Sequence, residues 1–220
     1  MKISAETQTI LKNFATINGN IAFKAGEKLS TISPQRNVVA MTEIEEDFSE
    51  DFYIYDLSQF LGVLSLFEDP DVEFTEKVAT ITEGNNSIEY HAASRDVLLL
   101  PPDKQIKFPG ADVTLVMTSA ILSAIQKTSS VLSAPDLSIV GDGKNLVLRV
   151  SDLKNPSTNT YKVEIGETDK TFTANIAINN LKLISQDYTV EISSKKISKW
   201  TSGKMTIYVA LEASSDLDNL

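Results

Sequence analysis

Six of the nine residues from Glu43 to Asp51 are acidic. Clustered carboxylates can hold a divalent ion or divide general acid and base roles, and Glu45 and Asp47 are the members a hydrolase would use. The cluster lacks the glycine and the terminal glutamate of an EF-hand loop, so a solvated strand-and-turn face is its plainer reading. The chain has one histidine, His91, and no cysteine. Those counts exclude disulfides, thiol nucleophiles, iron–sulfur clusters, cysteine zinc sites, paired-histidine metal sites and the HExxH motif. His91 ends a strand-like stretch without a partner histidine and reads as structural. Gly141-Asp142-Gly143-Lys144 has neither the glycine spacing nor the Ser/Thr of a P-loop. No cofactor, nucleotide or metal is therefore expected, and the chain reads as a non-enzyme. The densest basic stretch is Lys195-Lys196-Ile197-Ser198-Lys199-Trp200, with Lys204 nearby and the single tryptophan inside it. It is either a hairpin with solvated lysines or a patch for nucleic acid or a partner's acidic surface.

Four segments carry helix signals that would position such groups. Ser4, Asp56, Thr118 and Asn179 or Asn180 are capping residues ahead of apolar positions at helical spacing. The inward sets are Thr7, Ile10, Leu11 and Phe14; Leu57, Phe60, Leu61, Leu64 and Phe67; Ile121, Leu122, Ile125 and Leu132; Leu181 and Ile184. Pro70 closes the second segment. Counted from Ser4, Asp56, Thr118 and Asn179, the starts lie 52, 62 and 61 residues apart, with short strand-like runs between them. One helix followed by a few strands, four times over, is a periodic plan. Paired, the repeats predict an α+β chain of two similar domains, each of two helix-plus-antiparallel-strand units. The expected boundaries are 1–100, a connector at 101–112 and 113–220. Asp96–Val113, with Pro101, Pro102 and Pro109, is expected to be extended. Asn18-Gly19-Asn20, Glu83-Gly84-Asn85-Asn86 and Gly141-Asp142-Gly143 read as hairpin punctuation. Asp216–Leu220 reads as a frayed acidic tail.

The 220 residues carry a formal charge of −10, which speaks against tight phosphate binding over the general surface. The acids avoid the helices, however. Windows 4–17, 56–67, 118–132 and 179–186 contain two of the thirty acids, Glu6 and Asp56. Both sit at helix N-termini, where the dipole favours them. The outward groups are Lys12, Asn13 and Thr16; Ser58, Gln59 and Ser65; Ser119, Ser123, Gln126, Lys127 and Ser130; Lys182, Ser185 and Gln186. Hydroxyls, amides and lysines can donate to phosphate oxygens directly or through water. No apolar run approaches the roughly 20 residues of a membrane span. Met1-Lys2-Ile3-Ser4 does not open a secretory signal, so no membrane contact and a cytoplasmic location are expected.

Ile10-Leu11-Lys12-Asn13-Phe14-Ala15-Thr16-Ile17 resembles the first helix of the DNA polymerase sliding clamp of T-even-type bacteriophages. Ile54–Leu66 is similar to its second helix, and Tyr208-Val209-Ala210-Leu211-Glu212-Ala213 to its last strand. The resemblance implies the DNA-clamp fold in a homotrimeric, head-to-tail ring around duplex DNA. The ring would act in the host cytoplasm, tether the replicative polymerase and be opened by an ATP-driven clamp loader. Clamps of this type also serve phage late transcription as mobile activators, with a sigma-type factor and a co-activator as partners. The implied DNA-facing residues are Lys12, Asn13, Lys127 and Lys182. The implied partner pocket is Val38, Leu98, Leu99, Leu100, Pro101, Tyr208 and Ala210, taking a hydrophobic or aromatic tail. The implied subunit interface pairs edge strands carrying Ile88 and Tyr90 with those carrying Tyr161 and Val163. The alternatives are a non-catalytic oligomeric virion or scaffold protein, and a carboxylate hydrolase built on residues 43–51.

Overall fold

A computed structural model describes residues 1–102, 104 and 106–220. The chain divides into two compact units, Met1–Gln105 and Ile106–Leu220. The first unit runs α1 (Ala5–Ile17), β1 (Ile21–Phe23), β2 (Gly26–Ile32), β3 (Val38–Phe48), β4 (Phe52–Ile54), α2 (Leu57–Leu64), β5 (Asp71–Phe74), β6 (Val78–Glu83) and β7 (Asn86–His91). The second runs β8 (Val113–Met117), α3 (Ser119–Leu132), β9 (Asp136–Asp142), β10 (Asn145–Ser151), β11 (Tyr161–Glu167), β12 (Thr171–Ala177), β13 (Tyr188–Ser193), β14 (Ile197–Ser202) and β15 (Met205–Ala210).

Three helices start at the expected caps. Ser4 Oγ accepts from Thr7 N at 3.1 Å, Asp56 Oδ1 from Gln59 N at 2.9 Å and Thr118 Oγ1 from Ile121 N at 3.3 Å. Each bond satisfies a donor that the first turn would leave orphaned. The fourth helix does not form. Ile178–Asn180 makes a single 3₁₀ turn, and residues 181–187 run without regular structure. There the buried positions are Leu181 and Leu183, two apart, rather than Leu181 and Ile184. Burial two apart does not fit a helical face, and an eight-residue helix has little stability of its own to impose one.

The first unit is packed around aromatic rings. Phe74 meets Phe23, Phe48 and Phe52 at centroid distances of 5.7, 5.3 and 5.1 Å. Phe60, from α2, stands edge-on to Phe23 at 5.8 Å and to Tyr90 at 5.2 Å, which ties the helix to the sheet β5-β6-β7. The second unit seats α3 with Leu122 and Ile125. Its sheets are β11-β10-β9-β12 and the antiparallel run β8, β13, β14, β15. Trp200 is wholly buried there, its Nε1 donating to Ser198 Oγ at 3.0 Å. Tyr188 stacks edge-on to it, and burial raises that phenol's pKa. The tryptophan of the basic stretch is thus core, not patch.

Turn signals divide. Gly84 (φ +59°) and Gly143 (φ +86°) sit in the β6–β7 and β9–β10 hairpins, as expected. Gly141 is required by space instead, since a Cβ there would lie 2.5 Å from the Lys170 carbonyl oxygen. Asn18-Gly19-Asn20 is no hairpin. Asn18 follows α1 and its amide donates to the carbonyls of Ile32 and Leu99, while Asn20 Oδ1 accepts from Leu99 N. Polar side chains beside a helix end were available to fasten a passing segment. Of the expected extended stretch 96–113, Arg95–Val97 is a 3₁₀ turn and Val113 already belongs to β8. Asp103 and Gln105 lie outside the described residues.

Candidate functional site

The helix faces carry the groups the sequence placed on them, except in the last segment. Lys12 and Thr16 are exposed on α1, with Asn13 half-buried; Ser58 and Gln59 are exposed on α2. Gln126, Lys127 and Ser130 are exposed on α3. No acid follows the first turn of any of the three helices. Lys182 is half-buried on the irregular segment after the 3₁₀ turn, so its expected place on a helix is overturned with the helix itself.

α1 is set by a group the sequence reading left on a solvated face. Within the acidic cluster β3 alternates, and Glu46 is turned inward, 6% exposed. Its carboxylate accepts from Ser4 N at 2.5 Å and from Thr7 Oγ1 at 2.6 Å, at the N-terminus of α1. Burial pushes this carboxyl's pKa up, but the bonds from Thr7 and Ser4 outweigh it and hold it below the usual value. The period-two alternation of β3 was the available signal. Among the described residues no group of three or more His, Asp or Glu side chains is placed to hold a metal.

Among the described residues, the small sheet of each unit has one edge covered and one bare. In β5-β6-β7 the β5 edge is covered, because Val72 exchanges backbone bonds with Met1 at 2.7 and 2.8 Å. β7 pairs only with β6 among the described residues. In β11-β10-β9-β12 the β12 edge is covered by residues 212–216. Thr173 and Asp216 exchange bonds at 2.7 and 2.8 Å, and Glu212 N donates to Asn175 O at 2.8 Å. Leu217 is 4% exposed, so the expected frayed tail is a fixed strap from Glu212 to Leu217. A buried leucine and a satisfied backbone hold it. β11 keeps its outer side unpaired among the described residues. Ile88 and Tyr90 on β7, and Tyr161 and Val163 on β11, are half-buried. Burial raises the Tyr90 pKa, with the Asp56 charge adding to it, and its hydroxyl donates to the Asp56 carbonyl at 3.1 Å. Beside each bare edge lies an exposed aliphatic that the sequence reading missed. Leu66, 71% exposed, borders a groove with Phe67, Asn86 and Ile88. Val131, 82% exposed, borders one with Lys127, Leu132 and Tyr161. An apolar residue off the inward stripe at a helix end was the signal.

Leu98, Leu99, Leu100, Pro101 and Ala210 are half-buried and keep apolar surface available. Val38 does not: it is 2% exposed, with its N–H bonded to Ser33 Oγ, so it belongs to the core of the first unit. Tyr208 is 9% exposed, with Phe108 on its ring.

Residues 4–98 match the family described as DNA polymerase processivity factor. The sliding clamp of Vibrio phage KVP40 is 28% identical over 223 residues, covering 97% of this chain and 100% of that protein. The sliding clamp of Enterobacteria phage T4 is 30% identical over 229 residues, covering 99% and 100%. The Helicobacter pylori beta clamp bound to a DNA ligase peptide superposes with a TM-score of 0.72 at 14% identity, over 97% of this chain and 65% of that one.

Antiparallel sheets, few helices and this structural likeness define a DNA clamp fold. The near full-length match to the phage proteins goes further: the chain belongs to the sliding clamps, the processivity factors of phage DNA replication. That membership displaces the scaffold-protein alternative.

Proposed function

We propose that this chain forms a closed homotrimer around duplex DNA and tethers the replicative polymerase to its template. The carrying observation is the pair of bare edges, one on the small sheet of each unit, each beside an exposed aliphatic. A β7 edge of one copy pairing with a β11 edge of the next uses both at once, and such a head-to-tail contact closes into a ring when its rotation divides the circle, here by three. Lysines, amides and hydroxyls on α1, α2 and α3 face the DNA, and Lys182 adds a cation from the irregular segment. Because topology retains the ring, phosphate contacts stay weak and water-mediated, and the duplex can slide. The acidic remainder discourages stray binding elsewhere.

An ATP-driven loader opens the ring, consistent with a chain that has no P-loop of its own. Apolar tails of the polymerase, the loader and late-transcription factors dock on Leu98–Pro101 in the first unit and by Tyr208 and Ala210 in the second. The assembly works in the host cytoplasm. Light scattering across a dilution series tests the ring: three chains of 24.1 kDa give about 72 kDa. Loader-dependent retention on circular DNA, lost when the circle is cut, tests encirclement. A stable monomer at high concentration contradicts the proposal.

A further inference from the structure

The outer face of β13, β14 and β15 carries a row formed by Glu191, Lys199 and Tyr208, which are direct cross-strand neighbours. The opposite face holds Val190, Trp200 and Ile207, all wholly buried. Lys199 Nζ meets Glu191 Oε2 at 2.7 Å, which keeps the ammonium in place beside the Tyr208 ring. One further side chain sits on this row. The Phe108 ring lies 6.3 Å from Tyr208 at a 36° tilt, and Lys199 Nζ is 5.7 Å from the Phe108 centroid.

Phe108 is lightly held. Residues 106–111 form neither helix nor strand, and Lys107, Pro109 and Gly110 are exposed. Gly110 has φ +111°, a conformation that only glycine adopts without strain. Firm anchoring begins at Asp112, whose N–H donates to Ile192 O at 2.8 Å and whose Oδ2 accepts from Ser194 N at 2.7 Å. The ring is thus a half-buried aromatic on a short irregular arm, with a tilted ring contact to Tyr208 and a cation–π contact to Lys199.

We propose that Phe108 is an internal stand-in for the aromatic side chain of a partner peptide, seated on Tyr208 and Lys199 until that side chain displaces it. This rests on the reading of the chain as a clamp that takes partner tails. The incoming ring finds the same partners Phe108 uses, so specificity is for an aromatic residue over an aliphatic one. Binding pays for opening the seat, and apparent affinity is reduced by the fraction of molecules in which Phe108 covers it.

The test uses the full chain and a fluorescein-labelled peptide carrying the terminal tail of the phage's own DNA polymerase. Phe108→Ala should bind it about fivefold tighter than the natural chain, and Phe108→Leu by a smaller gain. A fluorine label on the Phe108 ring should shift toward its solvent value as peptide saturates. Unchanged or weaker binding by Phe108→Ala, with Trp200 fluorescence intact, overturns the proposal, because Phe108 is then a bystander or part of the permanent seat. Polymerase stimulation by the natural chain separates the two levels. If stimulation is present and Phe108 is indifferent, the stand-in alone fails; if neither form binds peptide or stimulates polymerase, the clamp reading falls with it.

Discussion

The small sheet of the first unit and the small sheet of the second solve one problem with different materials. Each has one edge sealed by a chain segment, Met1 on β5 and residues 212–216 on β12, and one edge left bare. Each bare edge has an exposed aliphatic beside it, Leu66 or Val131. Beneath that likeness the cores differ. The first unit interlocks five phenylalanines and Tyr90, and it keeps two helices. The second is mainly aliphatic around Trp200 and keeps one α-helix, with a 3₁₀ turn and an irregular segment where the repeat predicts another. The edge pattern is therefore independent of how the core is filled. That independence is expected if the edges serve assembly and the cores serve only stability.

The comparison makes four predictions of decreasing size. Phe60→Ala removes the ring that ties α2 to the sheet, and should cost about 4 kcal/mol. The loss should fall on the first unit: Trp200, the single tryptophan and buried in the second, should keep its fluorescence at denaturant concentrations where far-UV circular dichroism already falls. Simultaneous loss of both signals would mean that the units unfold together.

Val131→Asp changes a residue that is 82% exposed, so the melting temperature of the isolated chain should hardly move. Association should weaken by about 2 kcal/mol per interface, roughly thirtyfold, read as a shift of the trimer-to-monomer midpoint in light scattering. Leu66→Asp should match it, because it would sit on the other side of the same contact. An effect from only one of the two would break the proposed equivalence of the edges.

Glu46→Gln keeps the shape but weakens the bonds from Ser4 N and Thr7 Oγ1, for about 1–2 kcal/mol. The sign with pH follows from the lowered pKa in the folded chain. The natural carboxylate contributes stability above the ordinary glutamate range, and that contribution is lost as pH falls through the folded value. The gap between the natural chain and Glu46→Gln in urea melts should be full at pH 7 and close in acid. A gap that persists in acid would deny the carboxylate this role. The smallest effect belongs to the helix lysines. Lys12→Ser and Lys127→Ser should leave stability unchanged and each lower the salt slope of DNA binding by at most about one unit.

Much of this was legible locally. Ser4, Asp56 and Thr118 announce helix starts because the capping bond joins residues three apart. The Gly84 and Gly143 turns are written in the residues that allow positive φ. The absence of acids beyond the first turn of α1, α2 and α3 needs only counting. The Glu46 contact was harder, since the bond spans residues 4 and 46 and an acid among acids looks solvated. The segment after Asn180 was misread because Leu181 with Ile184 fits a helix, and Leu181 with Leu183 fits a strand, equally well over so few residues.

What the sequence determined by itself is therefore whatever one turn or one strand can settle: caps, tight turns, alternation, the charge of a face and the absence of thiol chemistry. The tertiary structure alone decided which edges stay bare, that Val38 and Trp200 are core, that the last residues strap β12, and that Phe108 rests on Tyr208. Those outcomes depend on contacts between residues far apart in the chain. Their energies come from burial and from backbone donors and acceptors that only a distant segment can satisfy.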